Sequence, residues 1–257
     1  MKKFSEAIFV AYRTFQTFTK KSKSYKAVKY LLITVFTAYG LIIIFPQFLF
    51  AHEVSYKNFN VYARQPLDEN VYRVLDAAEA RLLKSPIYDK RQTEKIFISD
   101  SFSFYNLLSP TSRKSFANTL PGIGNIRINQ SDIERDLVFR DAAEYNQRSL
   151  SGVIAHEVTH NLVRRKFGLL NSFVSLPKWK DEGYSEYVTG ETTLSFDEGV
   201  QLWKENQADD SKYNYFKYQQ MVKYLLDDEK ISVEELFTKD FDEKELSAKV
   251  FAKINQN

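Results

Sequence analysis

The 257-residue chain carries 36 basic and 33 acidic side chains, 44% hydrophobic and 15% aromatic residues, and no cysteine. That length is ample for a buried core, and the aromatic content excludes wholesale disorder. The missing cysteine excludes disulfides, thiolate catalysis, Cys-ligated zinc, iron–sulfur clusters and a lipidated cysteine.

Residues 1–29 form a basic tail, in which Lys2, Lys3, Arg13, Lys20, Lys21, Lys23, Lys26 and Lys29 stand against Glu6 alone. The rest of the chain is net negative. A nucleic-acid binder keeps its positive charge on the folded domain, so nucleic acid is not an expected partner. Residues 30–51, YLLITVFTAYGLIIIFPQFLFA, contain no charged side chain. At ~1.5 Å per residue the stretch spans roughly 33 Å, enough to cross a hydrocarbon core of about 30 Å. The positive-inside rule then keeps the N-terminus in the cytoplasm and exports residues 52–257 as one domain. A cleavable signal peptide is the weaker reading, because the basic lead is long and Leu49, at the −3 position for cleavage after Ala51, is not small. Within the lead, Phe4, Ile8, Ala11, Tyr12, Phe15 and Thr19 recur at helical spacing, which suits either a helix lying on an anionic leaflet or a solvated tail beside the anchor.

In the exported part, Asn58–Arg64 alternates like a strand, and Leu67–Lys84 puts Val71, Val74, Leu75, Ala78 and Leu82 on one helical face before Ser85-Pro86 ends it. Glu94–Ser99 predicts a short strand. Pro121–Gly124 is turn chemistry leading into a third strand at Asn125–Asn129. From Ser149 onward the pattern turns helical, over 150–167, 178–189, 197–206, 211–228 and 233–238. Strands first and helices later predict an α+β domain, a β-rich N-terminal lobe and a helical C-terminal lobe with a cleft between them.

Residues 149–168 read SLSGVIAHEVTHNLVRRKFG, with Ser149 as N-cap and Gly168 as stop. Leu150, Ile154, Val158 and Leu162 form an apolar stripe, and His156 and His160 fall roughly opposite, which predicts a helix buried on one face. His156-Glu157-Val158-Thr159-His160 is an H-E-x-x-H pattern. One helical turn sets two imidazoles side by side, so both can bind one zinc ion at ~2.0–2.1 Å, while Glu157 stands near enough to take a proton from the water that the metal activates. An ordinary amphipathic helix would explain two histidines less well, since the chain holds only three. With no cysteine and with Val163 and Lys166 where a metzincin needs Gly and His, the third ligand should be a carboxylate. Pro177–Tyr187 (PKWKDEGYSEY) supplies Glu182 and Glu186 at i, i+4, one able to bind metal and the other to hold a histidine N–H; Asp181 and Glu191 fall off that face. Gly183 would let this helix approach its neighbour closely.

His156–His160 followed by Trp179-x-x-Glu182-Gly183-Tyr184-Ser185-x-Tyr187 resembles the gluzincin zinc metallopeptidases, the peptidase MA-like group. The resemblance covers roughly 120–230 well. It implies a zincin-like fold, Zn²⁺ held by His156, His160 and Glu182, Glu186 supporting the first histidine, and Glu157 as general base. Gluzincins lay the substrate as an added strand along a sheet edge just before the zinc helix. Gly122–Asn129 is the matching segment, with Gly124 and Asn125 as substrate-binding residues. The aminopeptidase branch carries a glutamate there. This sequence has none, which points towards an endopeptidase. Many gluzincins also place a tyrosine or histidine donor near the oxyanion, and among the tyrosines of 211–228 the resemblance favours Tyr215. The expectation is a membrane-anchored zinc metallopeptidase acting on peptides or proteins outside the cytoplasm. The rival is an inactive zincin-fold binding module of the cell envelope with structural zinc, although no fourth ligand is evident and Glu157 would then have no purpose. An intramembrane protease is excluded by Arg148, Arg164, Arg165 and Lys166 around the motif.

Overall fold

The computed structural model describes residues 23–141, 147–168, 176–205 and 211–255, and the chain divides into two compact units at Pro46/Gln47. In the first unit, α1 (Lys23–Ile44) is one continuous helix. Its stretch Tyr25–Ile44 has a mean hydropathy of 2.0 and none of it is buried, unlike the core helix of a soluble domain. By length and composition it is able to cross a membrane. Its bounds correct the expected 30–51: the helix begins inside the basic cluster and stops at Ile44. Pro46 explains the stop, because proline disfavours helical geometry in the residue before it and offers no N–H to continue the ladder. Pro46–Leu49 makes a single 3₁₀ turn, and His52 already belongs to a strand. The lead at 1–22, including its amphipathic spacing, lies outside the described residues.

The second unit opens with a hairpin, β1 (His52–Tyr56) and β2 (Phe59–Ala63), paired from His52↔Ala63 to Tyr56↔Phe59. Helix α2 (Val71–Leu82) crosses over to β3 (Glu94–Ile98), which runs parallel to β2. After α3 (Phe102–Leu108) come β4 (Ala117–Thr119) and β5 (Ile126–Ile128), an antiparallel pair whose second strand lies parallel to β3. The sheet order is β1-β2-β3-β5-β4. Phe59, Val61, Ile96, Ile126 and Ile128 have no solvent exposure, as expected for central parallel strands covered on both faces. Strands β6 (Ser131–Asp132), β7 (Leu137–Phe139) and β8 (Gln147–Ser149) form a small antiparallel sheet that delivers the chain into α4 (Leu150–Phe167). Then follow α5 (Lys178–Thr189), α6 (Phe196–Lys204), α7 (Ser211–Lys223) with a π-turn at Tyr224–Asp228, α8 (Val233–Thr238) and α9 (Glu243–Ile254). Every strand among the described residues precedes α4, a mixed α+β arrangement.

Helix α4 departs from expectation. It packs against α2, α5, β4 and β5, so the fourteen residues from Leu150 to Val163 are all buried, including the supposed open face. Its start is tied down twice: Ser149 Oγ accepts from Gly152 N at 3.0 Å, and Asp136 accepts from Ser151 N at 2.8 Å, a negative charge at the positive end of the helix. Gly168 ends it at φ 92°. The second correction concerns the sheet. The segment Gly122–Asn129 is not a free edge, because β5 lies between β3 and β4; the edge is β4.

Helix α5 lies close against α7 because Gly183 has no side chain. A Cβ there would fall 2.5 Å from the Tyr218 carbonyl oxygen and 2.8 Å from Val222 Cγ2. Gly183→Ala is therefore expected to destabilise the domain by about 1–3 kcal/mol, since a helix backbone must move to relieve the clash. Urea denaturation of both proteins checks this.

Candidate metal centre

His156 and His160 sit one turn apart on α4 with their rings edge to face, both nearly inaccessible at 8% and 5% exposure. Their Nε2 atoms are 3.1 Å apart. Glu182, from α5, sets its Oε2 3.3 Å from His156 Nε2 and 3.6 Å from His160 Nε2. That oxygen is buried and accepts no hydrogen bond. The three donor atoms lie within 4.8 Å of one another, so the group can hold a metal ion.

The other ring nitrogens explain why the Nε2 atoms are the donors. His156 Nδ1 lies 3.1 Å from Glu186 Oε1, and His160 Nδ1 lies 2.9 Å from Asp181 Oδ1. The negative charge beside each Nδ1 favours the proton on that nitrogen and leaves the Nε2 lone pair towards the centre, although neither contact has hydrogen-bond geometry. Glu186 is itself gripped by Arg148, whose two terminal nitrogens donate to its two oxygens at 2.9 and 3.0 Å. Two lone pairs and a carboxylate oxygen thus converge in a buried space. Without a positive charge between them the arrangement would be repulsive. The donor set, two imidazoles and one carboxylate, fits a divalent cation of the first transition row.

The titration behaviour without metal points the same way. Burial alone would push His156 down, yet Glu182 and Glu186 outweigh it and raise the imidazole to about 9. His160 is raised well above its usual value against the same desolvation, by Asp181 and Glu182. Burial would lift the Glu182 carboxyl, but the two histidines hold it well below the ordinary range. Protons on the two imidazoles thus balance the surrounding carboxylates. A metal must displace those protons, so binding near pH 7 is expected to release protons and to tighten as pH rises towards about 9. Calorimetric titration in buffers of different ionisation enthalpy reads that proton count.

Glu157 projects beside this group. Thr119 Oγ1, on edge strand β4, donates to Glu157 Oε2 at 2.5 Å. The pairing of β4 fixes which of its main-chain groups are free. Phe116 O accepts from Asn129 N, and Leu120 N donates to Asn125 O. By the alternation of an antiparallel ladder, Asn118 also faces β5, while Ala117 and Thr119 turn their N–H and C=O outward. The side of β4 that carries no strand partner among the described residues therefore lies beside Glu157, although Ala117 and Thr119 are themselves buried.

Tyr215, on α7, has its ring centroid 6.4 Å from that of His156. Burial, then the charges of Glu182, Glu186 and Glu157, push its hydroxyl far above the usual phenol value, so it stays protonated and able to donate. The structure thus brings together His156, Glu157, His160, Glu182, Glu186 and Tyr215. It sets Gly124 and Asn125 apart from them, in the turn between β4 and β5, where Gly124 O accepts from Asn161 Nδ2 at 2.9 Å and Asn125 is buried. Arg164, one turn past His160, lines a separate cavity of about 290 Å³ with Gly124, Glu94 and Asn161.

Three contributors escape sequence reasoning. Asp181 falls off the Glu182/Glu186 face in the sequence pattern, yet α5 packs on α4 so that positions 181, 182 and 186 all reach the histidines. Arg148 precedes its helix and pairs with Glu186 across 38 positions. Thr119 belongs to a three-residue strand. The only sequence signal for β4 is the turn at Pro121–Gly124, since a hairpin turn needs a strand on both sides. No protein-family model matches this chain, and none of the curated proteins matches it.

Proposed function

We propose that the chain is a membrane-anchored zinc metallopeptidase with a zincin-like fold, spanning the bilayer once through α1 with its N-terminus in the cytoplasm and its catalytic domain outside. The observation that carries this reading is the convergence of His156 Nε2, His160 Nε2 and Glu182 Oε2 beside a carboxylate, Glu157, that ligates nothing. Lys26 and Lys29 at the start of α1 support the orientation.

His156, His160 and Glu182 would hold zinc, and when bound it would supply a Lewis acid that polarises a peptide carbonyl and makes a neighbouring water more acidic. The protein's own groups do the rest. A peptide pairs with the outward main-chain groups of Ala117 and Thr119, which recognise backbone rather than sequence. Glu157 takes the proton of the attacking water on its carboxylate and returns it to the leaving amine nitrogen. The Thr119 hydroxyl occupies Oε2 and leaves Oε1 for that transfer. Tyr215, held protonated, donates to the developing negative charge on the carbonyl oxygen. Glu186 and Asp181 keep the imidazole tautomers fixed.

The test is chelation and reloading of the full chain in detergent. Quenched peptides should be cleaved by the zinc-loaded protein, untouched after chelation, and cleaved again when one equivalent of zinc is restored. Stoichiometric zinc without hydrolysis of any peptide or protein would instead mark a binding module.

A further inference from the structure

A cavity of about 180 Å³ opens against the metal centre, bordered by His156, Glu157, Glu186 and Tyr215. Four of its lining residues are cationic: Lys114, Arg140, Arg148 and Lys212. Its only acids among the described residues are Glu157 and Glu186, and Glu186 is already taken up by the Arg148 fork. Among the described lining residues, cationic side chains thus outnumber acidic ones. Phe116 and Val153 supply apolar wall, and Ala117 is part of the outward-facing edge of β4.

The cations differ in what they offer. Arg140 lies over the Phe116 ring, 5.7 Å from its centre, and both Arg140 and Lys212 have further contacts, so these two chiefly shape the field. Arg148 is fixed by Glu186, but its Nε is buried and makes no hydrogen bond. Lys114 is exposed at the rim and has no polar partner among the described residues, so its ammonium is able to close on a ligand. A short apolar wall ending in ammonium and guanidinium groups suits a methylene stem that ends in a carboxylate. A lysine or arginine entering the same space meets more cationic than acidic side chains among the described residues.

We infer that this cavity is a carboxylate subsite, and that the enzyme selects peptides carrying a carboxylate immediately next to the scissile bond, either an acidic side chain or a chain terminus. This rests on the metallopeptidase reading and deepens it by naming the substrate class. A carboxamide of the same shape fills the cavity without the charge-assisted bonds, so Glu over Gln should be worth about tenfold or more in kcat/KM, with Lys poorest.

The experiment uses the zinc-loaded full chain in detergent and a peptide series with Glu, Gln, Leu or Lys on either side of one bond. A second pair ends one residue past that bond, as free acid or as amide. Expected are preference for Glu on one side, and loss of that preference in Lys114→Glu. If internal Glu and Gln are equal but the free acid outruns the amide, the carboxylate belongs to the chain terminus. Cleavage blind to charge in both series overturns the subsite and leaves the peptidase intact. If zinc is bound and no peptide is cleaved, the peptidase reading fails. Calorimetric binding of the Glu and Gln peptides then decides the cavity: tighter binding of Glu, abolished by Lys114→Glu, upholds it, and equal binding ends it.

Discussion

Glu157→Gln is expected to lower peptide hydrolysis by about 10²–10⁴-fold while zinc content stays at one per chain. The substitution preserves size and leaves an amide oxygen to accept the Thr119 hydroxyl, so the local packing survives. What disappears is a group able to take up a proton. His156, His160 and Glu182, whose Nε2 and Oε2 atoms form the donor group, are untouched. Steady-state kinetics on quenched peptides, read beside metal analysis of the same preparations, separates the two effects. Undiminished cleavage would remove Glu157 from the mechanism.

The second large effect is expected at Glu182. Glu182→Ala deletes one of three donors, and with it the buried Oε2 that accepts no hydrogen bond. Partners that merely orient ligands cost about 10–100-fold in metal affinity when lost, so a donor atom should cost at least about 100-fold. Competition against a chelator of known affinity measures it, and circular dichroism shows whether the fold persists. Asp181→Asn belongs in the same series as the milder case, because it weakens only the contact at His160 Nδ1. Equal zinc affinity in the wild type and Glu182→Ala would discard the assignment of that carboxylate.

Long, strongly periodic elements were legible from residues alone. Helix α4 begins and ends at the bounds set by Ser149 and Gly168, and α5 covers 178–189 as its Pro177 start predicts. Both rest on caps and spacing, which are local. The ion-pairing at the centre was only half legible for the same reason. His156, Glu157 and His160 are one turn of one helix, whereas Arg148 and Asp181 acquire their roles from the crossing of α4 with β8 and α5. Edge strand β4 has three residues, too few for alternation to register, so the sequence pattern reveals only β5 after the turn and points to an edge one strand too far in. The bounds of the apolar helix α1 differ from the uncharged run because such a run does not mark where the backbone stops being helical; Pro46 does.

The enclosure of α4 on every side bears on how the centre behaves over time. A helix whose fourteen consecutive residues are walled in cannot swing or fray independently, so its amide protons should exchange only when the whole domain opens. Loss of the ion would then leave the two imidazoles where they are, ready to capture another without searching for a conformation. Any yielding needed to admit a long polypeptide falls instead on the short strand β4, which pairs with one strand only among the described residues.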